Sequence, residues 1–309
     1  MAVMPLAHVS WAIADNADRP ACDAFFIDVF GAETAYEMRI TPETEAMGLD
    51  REERLMMVGD AMLIPIAPAG RAAGEGSPIG DMLRRSAAPD RWLGLALKVR
   101  NLPEADAWFS ARGFRLHYDP GMESHYFLVS RGQALGLRLE ILAHDLPGDP
   151  RRDPAWTPAK WRDGHPLGIV GLQAIGVSAP SLDEARALFA ARLEWPEISA
   201  RYAPEDDADC AAFWAGDVAV EALAARDSGS ALATHAESIK GIWSLTFQVR
   251  DAAAAADYLR ARGLDIVGDT AGRFGLRPEQ AHGRRIRFTE VAPEGYPAPG
   301  SRFGSESLD

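Results

Sequence analysis

A chain of 309 residues, 47% of them hydrophobic, is long enough for about two domains with cores of their own. Its 45 acidic against 32 basic side chains leave a formal charge of −13, and no Lys/Arg run interrupts that balance, which argues against a phosphate-binding surface and against nucleic acid as a partner. Cys22 and Cys210 stand far apart with no CxxC pair, so neither a disulfide framework nor a thiolate metal site is expected and a cytoplasmic location fits. The opening MAVMPLAH lacks a basic segment followed by a long apolar one, and no run of about 18 apolar residues occurs, so no membrane partner is expected.

The first predicted element is a strand, HVSWAIADN, with His8 at its mouth, followed by the helix signal ACDAFFIDVFG ending at Gly31. The Ala-, Gly- and Pro-rich stretch 67–90 reads as a link. A second strand, LGLALKVRN, then leads into EADAWFSARGF and Gly113, and SHYFLVSR and LGLRLEIL follow as strands. The stretch 143–167, with His144 and His165 expected in solvent, is the longer break. Beyond it LQAIGVSAP precedes DEARALFAARL and the strand VAVEAL, and SLTFQVRDA precedes AAAADYLRARG, Gly263 and the strand RRIRFTEV. Aligned on Ile13, Val99, Val177 and Val249, these are four copies of one βαβββ unit. The expected class is α+β, with units one and two in residues 1–145, a linker over 146–166, units three and four in 167–292 and an irregular tail over 293–309.

Four βαβββ units in two pairs resemble the vicinal oxygen chelate superfamily, which includes glyoxalases, bleomycin-resistance proteins, methylmalonyl-CoA epimerases and type I extradiol dioxygenases. The resemblance implies two domains, each a curved, incomplete barrel of paired units whose concave face can hold a divalent metal. It implies ligands from the first strand of a unit (His, Gln or Glu) and from the last strand (Glu). His8 falls on the first-strand position of unit one, and Gly94, Leu172 and Ser244 occupy that position in the other units. On the last strands Glu140 sits where the glutamate is expected, Glu221 and Glu290 match it in units three and four, and unit one has only Ile64 there. The metal pair implied is thus His8 with Glu140, for Fe(II), Mn(II) or Zn(II), and it belongs to the first half.

Strand alternation supports this placing. In LGLRLEIL, Leu135, Leu137, Leu139 and Ile141 share one face and leave Arg138 and Glu140 on the other. In AHVSWAI, Val9, Trp11 and Ile13 should meet the helix, with His8 and Ser10 on the cavity side, while Gly94 and Ala96 leave room for a ligand. His125 is the candidate third ligand or acid–base group, and Tyr118 lines the expected cavity mouth. Ser244, Thr246 and Gln248 form an expected polar pocket in the second half. Competing readings are a strand-end His8 bonded to a carbonyl, a Glu140–Arg138 ion pair, and solvated or salt-bridged Glu221 and Glu290.

No GxxxxGK[ST] loop, GxGxxG turn or GxSxG elbow is present, so no nucleotide cofactor or serine nucleophile is implied. The resemblance leaves two functions. One is a divalent-metal-dependent dioxygenase, lyase or isomerase acting on a small oxygen-rich or aromatic substrate. The other is a metal-free protein that sequesters a small molecule, as the bleomycin-resistance branch does. The expected partner is a small-molecule ligand, and a homodimer is compatible with either.

Overall fold

The computed structural model describes residues 5–46, 51–68, 91–119 and 121–299. Unit one comprises β1 (Leu6–Ala12), α1 (Arg19–Phe30), β2 (Glu33–Met38), the short helix α2 (Pro42–Ala46), β3 (Arg51–Val58) and β4 (Ala61–Pro68). Unit two comprises β5 (Arg91–Lys98), α3 (Leu102–Ala111), β6 (Leu116–His117), β7 (Tyr126–Val129) and β8 (Arg138–Leu142). Unit three runs through β9 (Ile169–Ser178), α4 (Leu182–Arg186), β10 (Glu197–Ala203), β11 (Ala208–Ala215) and β12 (Val218–Ala225). After an additional helix α5 (Ala231–Ser238), unit four adds β13 (Gly241–Val249), α6 (Ala252–Ala261), β14 (Ile266–Gly268), β15 (Arg273–Leu276) and β16 (Ile286–Thr289). Most of the link expected over 67–90 lies outside the described residues.

Two eight-stranded sheets result, ordered β2-β3-β4-β1-β5-β8-β7-β6 and β10-β11-β12-β9-β13-β16-β15-β14. In each unit the first strand pairs in parallel with the last, and the two first strands of a pair meet antiparallel at the sheet centre. This is the curved-sheet α+β architecture of four βαβββ units. Gly31, Gly113 and Gly263 close their helices with φ of +63°, +72° and +77°, a conformation that a Cβ disfavours.

One apolar core runs through both sheets. Helix α1 connects them, since Phe26 packs 4.9 Å from Trp11 while Phe30 lies 6.0 Å from Phe288 and 6.4 Å from Phe247. Buried polar clamps add to it. Asp60 Oδ1 accepts the Leu172 N–H at 2.7 Å, and the Arg151 guanidinium donates to Ala7 O at 2.6 Å and to Asp149 Oδ2 at 2.7 Å.

Two expectations are corrected here. Leu135 is not in the strand, because it and Gly136 take φ of +51° and +79° and form a turn before β8. The stretch 143–167 is not a solvated linker. Arg151 and Trp161 are buried in it, and His144 and His165 are half-buried, the latter ring 5.4 Å from Tyr258. The tail is irregular as far as residue 299, yet Tyr296 reaches back to the second sheet.

Candidate active site on the first sheet

The alternation of β1 puts Val9 and Trp11 into the core at 0% exposure, so His8 and Ser10 face the concave side. Register carries that face across the sheet. His8 pairs with Ala96, which pairs with Glu140; in the next row Ser10 pairs with Gly94, which pairs with Arg138. Only the methyl of Ala96 separates the imidazole from the carboxyl, and His8 Nε2 stands 3.8 Å from Glu140 Oε2. That is too long for a hydrogen bond, and His8 Nδ1 is buried with no partner among the described residues. Among the described residues neither competing reading holds, as His8 Nδ1 bonds no carbonyl and Arg138 forms no ion pair with Glu140.

Burial sets the charge state of the pair. It pushes His8 down to about 4, against the opposing pull of the Glu53 carboxylate, and pushes Glu140 up to about 7 despite Arg138 nearby. Near neutral pH the imidazole is an uncharged donor atom and the carboxyl is poised to gain or lose a proton, which is the state an acid–base group needs.

A separation of 3.8 Å suits two ligands of one divalent ion with bonds near 2.0–2.2 Å. The donor set goes no further among the described residues, where no three His, Cys, Asp or Glu side chains stand close enough to hold a metal together. The other two positions at which the resemblance implies a ligand hold Gly94 and Ile64. Gly94 does not leave room for a ligand, contrary to the sequence expectation. A Cβ there would overlap the Arg138 carbonyl oxygen and lie 2.7 Å from Arg138 Cβ. Gly94→Ala should therefore cost about 2–3 kcal/mol in urea denaturation, through displacement of β8 from β5. A loss under about 0.5 kcal/mol would show that the close approach is not required.

The remaining candidates are dispersed. Ser10 is 7% exposed beside the pair, and Arg138, half-buried on the same face, has no carboxylate partner among the described residues. His125 is exposed, shares a 3.1 Å hydrogen bond with Ser124 Oγ and packs its ring 5.5 Å from His144. Tyr118 is held by Asp106 of α3, on the helix side of the sheet rather than at a cavity mouth, and its hydroxyl is pushed up to about 12 by burial and that bond. Sequence reasoning missed Glu53, whose charge acts on both His8 and Glu140 and which pairs with Arg51. The alternation of REERLMMV places Glu53 on one face with Leu55 and was the available signal.

The second sheet closes the equivalent face. Glu221 is 1% exposed and accepts both Arg273 nitrogens at 2.6 Å, Arg201 at 3.2 Å and the Tyr296 hydroxyl at 2.5 Å. Beside it Arg287 grips Asp206, which also accepts Trp243 Nε1 at 2.8 Å. Ser244 and Thr246 lie buried at 1% and 0% exposure, and Gln248 donates to Glu290 O at 3.0 Å. On the face where an open polar pocket was expected of these three, an ion-pair cluster stands instead. Glu221 is salt-bridged, as its competing reading had it, whereas Glu290 is exposed and caps the Ala252 N–H of α6 at 3.0 Å.

No family model and no curated protein sequence matches the chain. Among solved structures it is similar to a triple mutant of 4-hydroxymandelate synthase from Streptomyces coelicolor, with 16% identity and a TM-score of 0.68 over 100% of this chain and 98% of that one. Methylmalonyl-CoA epimerase from Mycobacterium tuberculosis aligns with 23% identity and a TM-score of 0.38, covering 41% of this chain and 91% of the other. The topology of the two sheets, the register of their first and last strands and the full-length likeness lead to one conclusion: the chain has the vicinal oxygen chelate fold in its four-unit form.

Proposed function

We propose that the chain is an enzyme that binds one divalent ion between His8 and Glu140 and acts on a small oxygen-rich or aromatic substrate as a dioxygenase, lyase or isomerase. The carrying observation is the approach of Nε2 and Oε2 to 3.8 Å across Ala96, with neither atom spent on the other. The likeness to a 4-hydroxymandelate synthase supports an aromatic hydroxy or oxo acid as the substrate class. When bound, the ion would supply Lewis-acid polarisation of adjacent substrate oxygens.

The chain's own groups do the rest. His8 offers a neutral imidazole whose buried setting excludes water and disfavours its protonation. Glu140 gives up its proton near pH 7 and can hold a substrate proton there. Arg138, uncommitted on the same face, is the group to orient a substrate carboxylate, and the Ser10 hydroxyl is the nearest small donor on β1. His125 on the surface takes no part.

A second reading, metal-free binding of a small molecule, is favoured by the two missing ligand positions at Gly94 and Ile64. Turnover separates the two. With Fe(II) or Mn(II) added, a panel of catechols and aromatic 2-oxo acids should include a substrate for which His8→Ala and Glu140→Gln each lower kcat/KM by about 10²–10⁴-fold. Saturable binding of the same compounds in EDTA, with no metal-dependent turnover, would favour the second reading.

A further inference from the structure

A cavity of about 380 Å³ lies where the turn 131–136 of the first sheet meets the segments around α4 and α5 of the second. Three cations line it, Arg131, Arg192 and Lys240, and among the described residues none of them has a carboxylate within ion-pair distance. In a chain with a formal charge of −13, such a cluster is not a by-product of a basic surface.

The two arginines are positioned by neutral groups. Arg131 donates from Nε to Gly136 O at 2.8 Å and from Nη2 to Ile239 O at 3.4 Å. Arg192 donates to Arg112 O at 3.1 Å and stacks 3.8 Å over the Phe114 ring. These contacts fix the guanidinium groups without cancelling their charge, and leave further N–H groups available. Lys240 sits in a tight turn, with φ of +61° followed by +88° at Gly241. Gly136 faces it so closely that a Cβ there would overlap Lys240 Cβ and lie 2.9 Å from Gly241 N. The glycine thus permits the two turns to meet and bring Arg131 and Lys240 to one wall.

The local field agrees with this geometry. His235, whose Nδ1 is 2.8 Å from Ser178 Oγ at the cavity edge, is pushed down to about 4 by burial and further by Arg285, Arg91 and Arg131. Among the described residues of the lining the one acid, Glu184, is exposed and turned toward Ser181, with Oε1 3.5 Å from its hydroxyl. Leu135, Leu188 and Ala236 supply apolar wall. We infer that this cavity binds a small organic anion, its carboxylate or phosphate head held by Arg131, Arg192 and Lys240 and its short apolar body lying against Leu135 and Leu188. The volume falls in the range of ordinary small-molecule sites. This site is separate from His8 and Glu140, so it stands or falls independently of the proposed enzyme activity.

Calorimetric titration of the full chain with inorganic phosphate and, separately, benzoate tests it. At least one probe should bind saturably at one per chain, and Arg131→Gln and Lys240→Gln should each weaken it about tenfold. Phosphate binding the tighter would identify a phosphate head, and benzoate binding the tighter a carboxylate. Lys240 is exposed, so Lys240→Gln keeps the test intact if Arg131→Gln fails to fold. Arg226→Gln, which removes a surface partner of Asp209, should leave binding unchanged. No saturable binding of either probe up to the order of 10 mM, or binding unaltered by Lys240→Gln, overturns the inference.

Discussion

Glu221→Gln is expected to destabilise the chain by about 3–5 kcal/mol in urea denaturation at pH 7, the largest effect of any single substitution considered. The carboxylate is 1% exposed, and Arg273, whose side chain is 8% exposed, spends two nitrogens on it. Burial alone would raise the pKa of Glu221, but Arg273, Arg201 and the Tyr296 hydroxyl outweigh it and hold the carboxyl far below the ordinary range. Glutamine keeps the shape and removes the charge, which leaves the Arg273 and Arg201 guanidinium groups to share the remaining carboxylate of Glu205, at 3.2 and 3.3 Å. The sign with pH follows. A carboxyl whose folded pKa is depressed stabilises the fold above its unfolded value of 4.5, and that stability is lost as pH falls. The wild type should therefore lose stability steeply below about pH 4.5, and Glu221→Gln should show a shallower slope there. Replacing Glu221 and Arg273 together by apolar residues should cost less than Glu221→Gln alone, since no buried charge is then stranded. A loss under about 1 kcal/mol for Glu221→Gln would mean the cluster does not hold the second sheet closed.

The second large effect is a pH profile split between two variants. For His8, folded at about 4 against an ordinary value of 6.5, stability is present above 6.5 and lost as pH falls through 4. For Glu140, folded at about 7 against 4.5, stability is present below 4.5 and lost as pH rises through 7. Between these windows the two slopes oppose. The native pair holds one proton in all, and so does the unfolded pair with its imidazolium and carboxylate, so the wild type should show almost no slope from this pair between about pH 4.5 and 6.5. Glu140→Gln leaves the histidine alone, and stability should rise by about 3 kcal/mol from pH 4 to 6.5. His8→Asn leaves the carboxyl alone, and stability should fall by about 3 kcal/mol from pH 4.5 to 7. Denaturant midpoints measured across that range check both, and parallel profiles for the two variants would contradict the assignment.

The fold was legible in this sequence because its unit repeats and because each unit carries a strand of period two beside a helix closed by glycine. The same period placed His8 and Glu140 on one concave face from 132 residues apart in numbering, which the register through Ala96 bears out. What alternation cannot convey is how closely strands coil against each other. Gly94 looked like spare room, whereas the Arg138 backbone occupies that space. The alternation of LGLRLEIL ran on through Leu135, although Gly136 turns the chain there. Glu221 finds Arg273, Arg201 and Tyr296 on three separate segments, a convergence set by the packing of sheet and tail and invisible to any local pattern. The same holds for Arg131, Arg192 and Lys240, which come from three separate segments that only the joined sheets bring together.

The most direct test of the central claim is the metal stoichiometry of the His8–Glu140 pair. Equilibrium dialysis of the wild type against Mn(II) or Zn(II) at pH 8, where the Glu140 carboxyl with its pKa of about 7 is largely ionised, should retain about one ion per chain, and His8→Ala and Glu140→Gln should each abolish retention. Retention of no ion by the wild type, or of one ion by both variants, would contradict it.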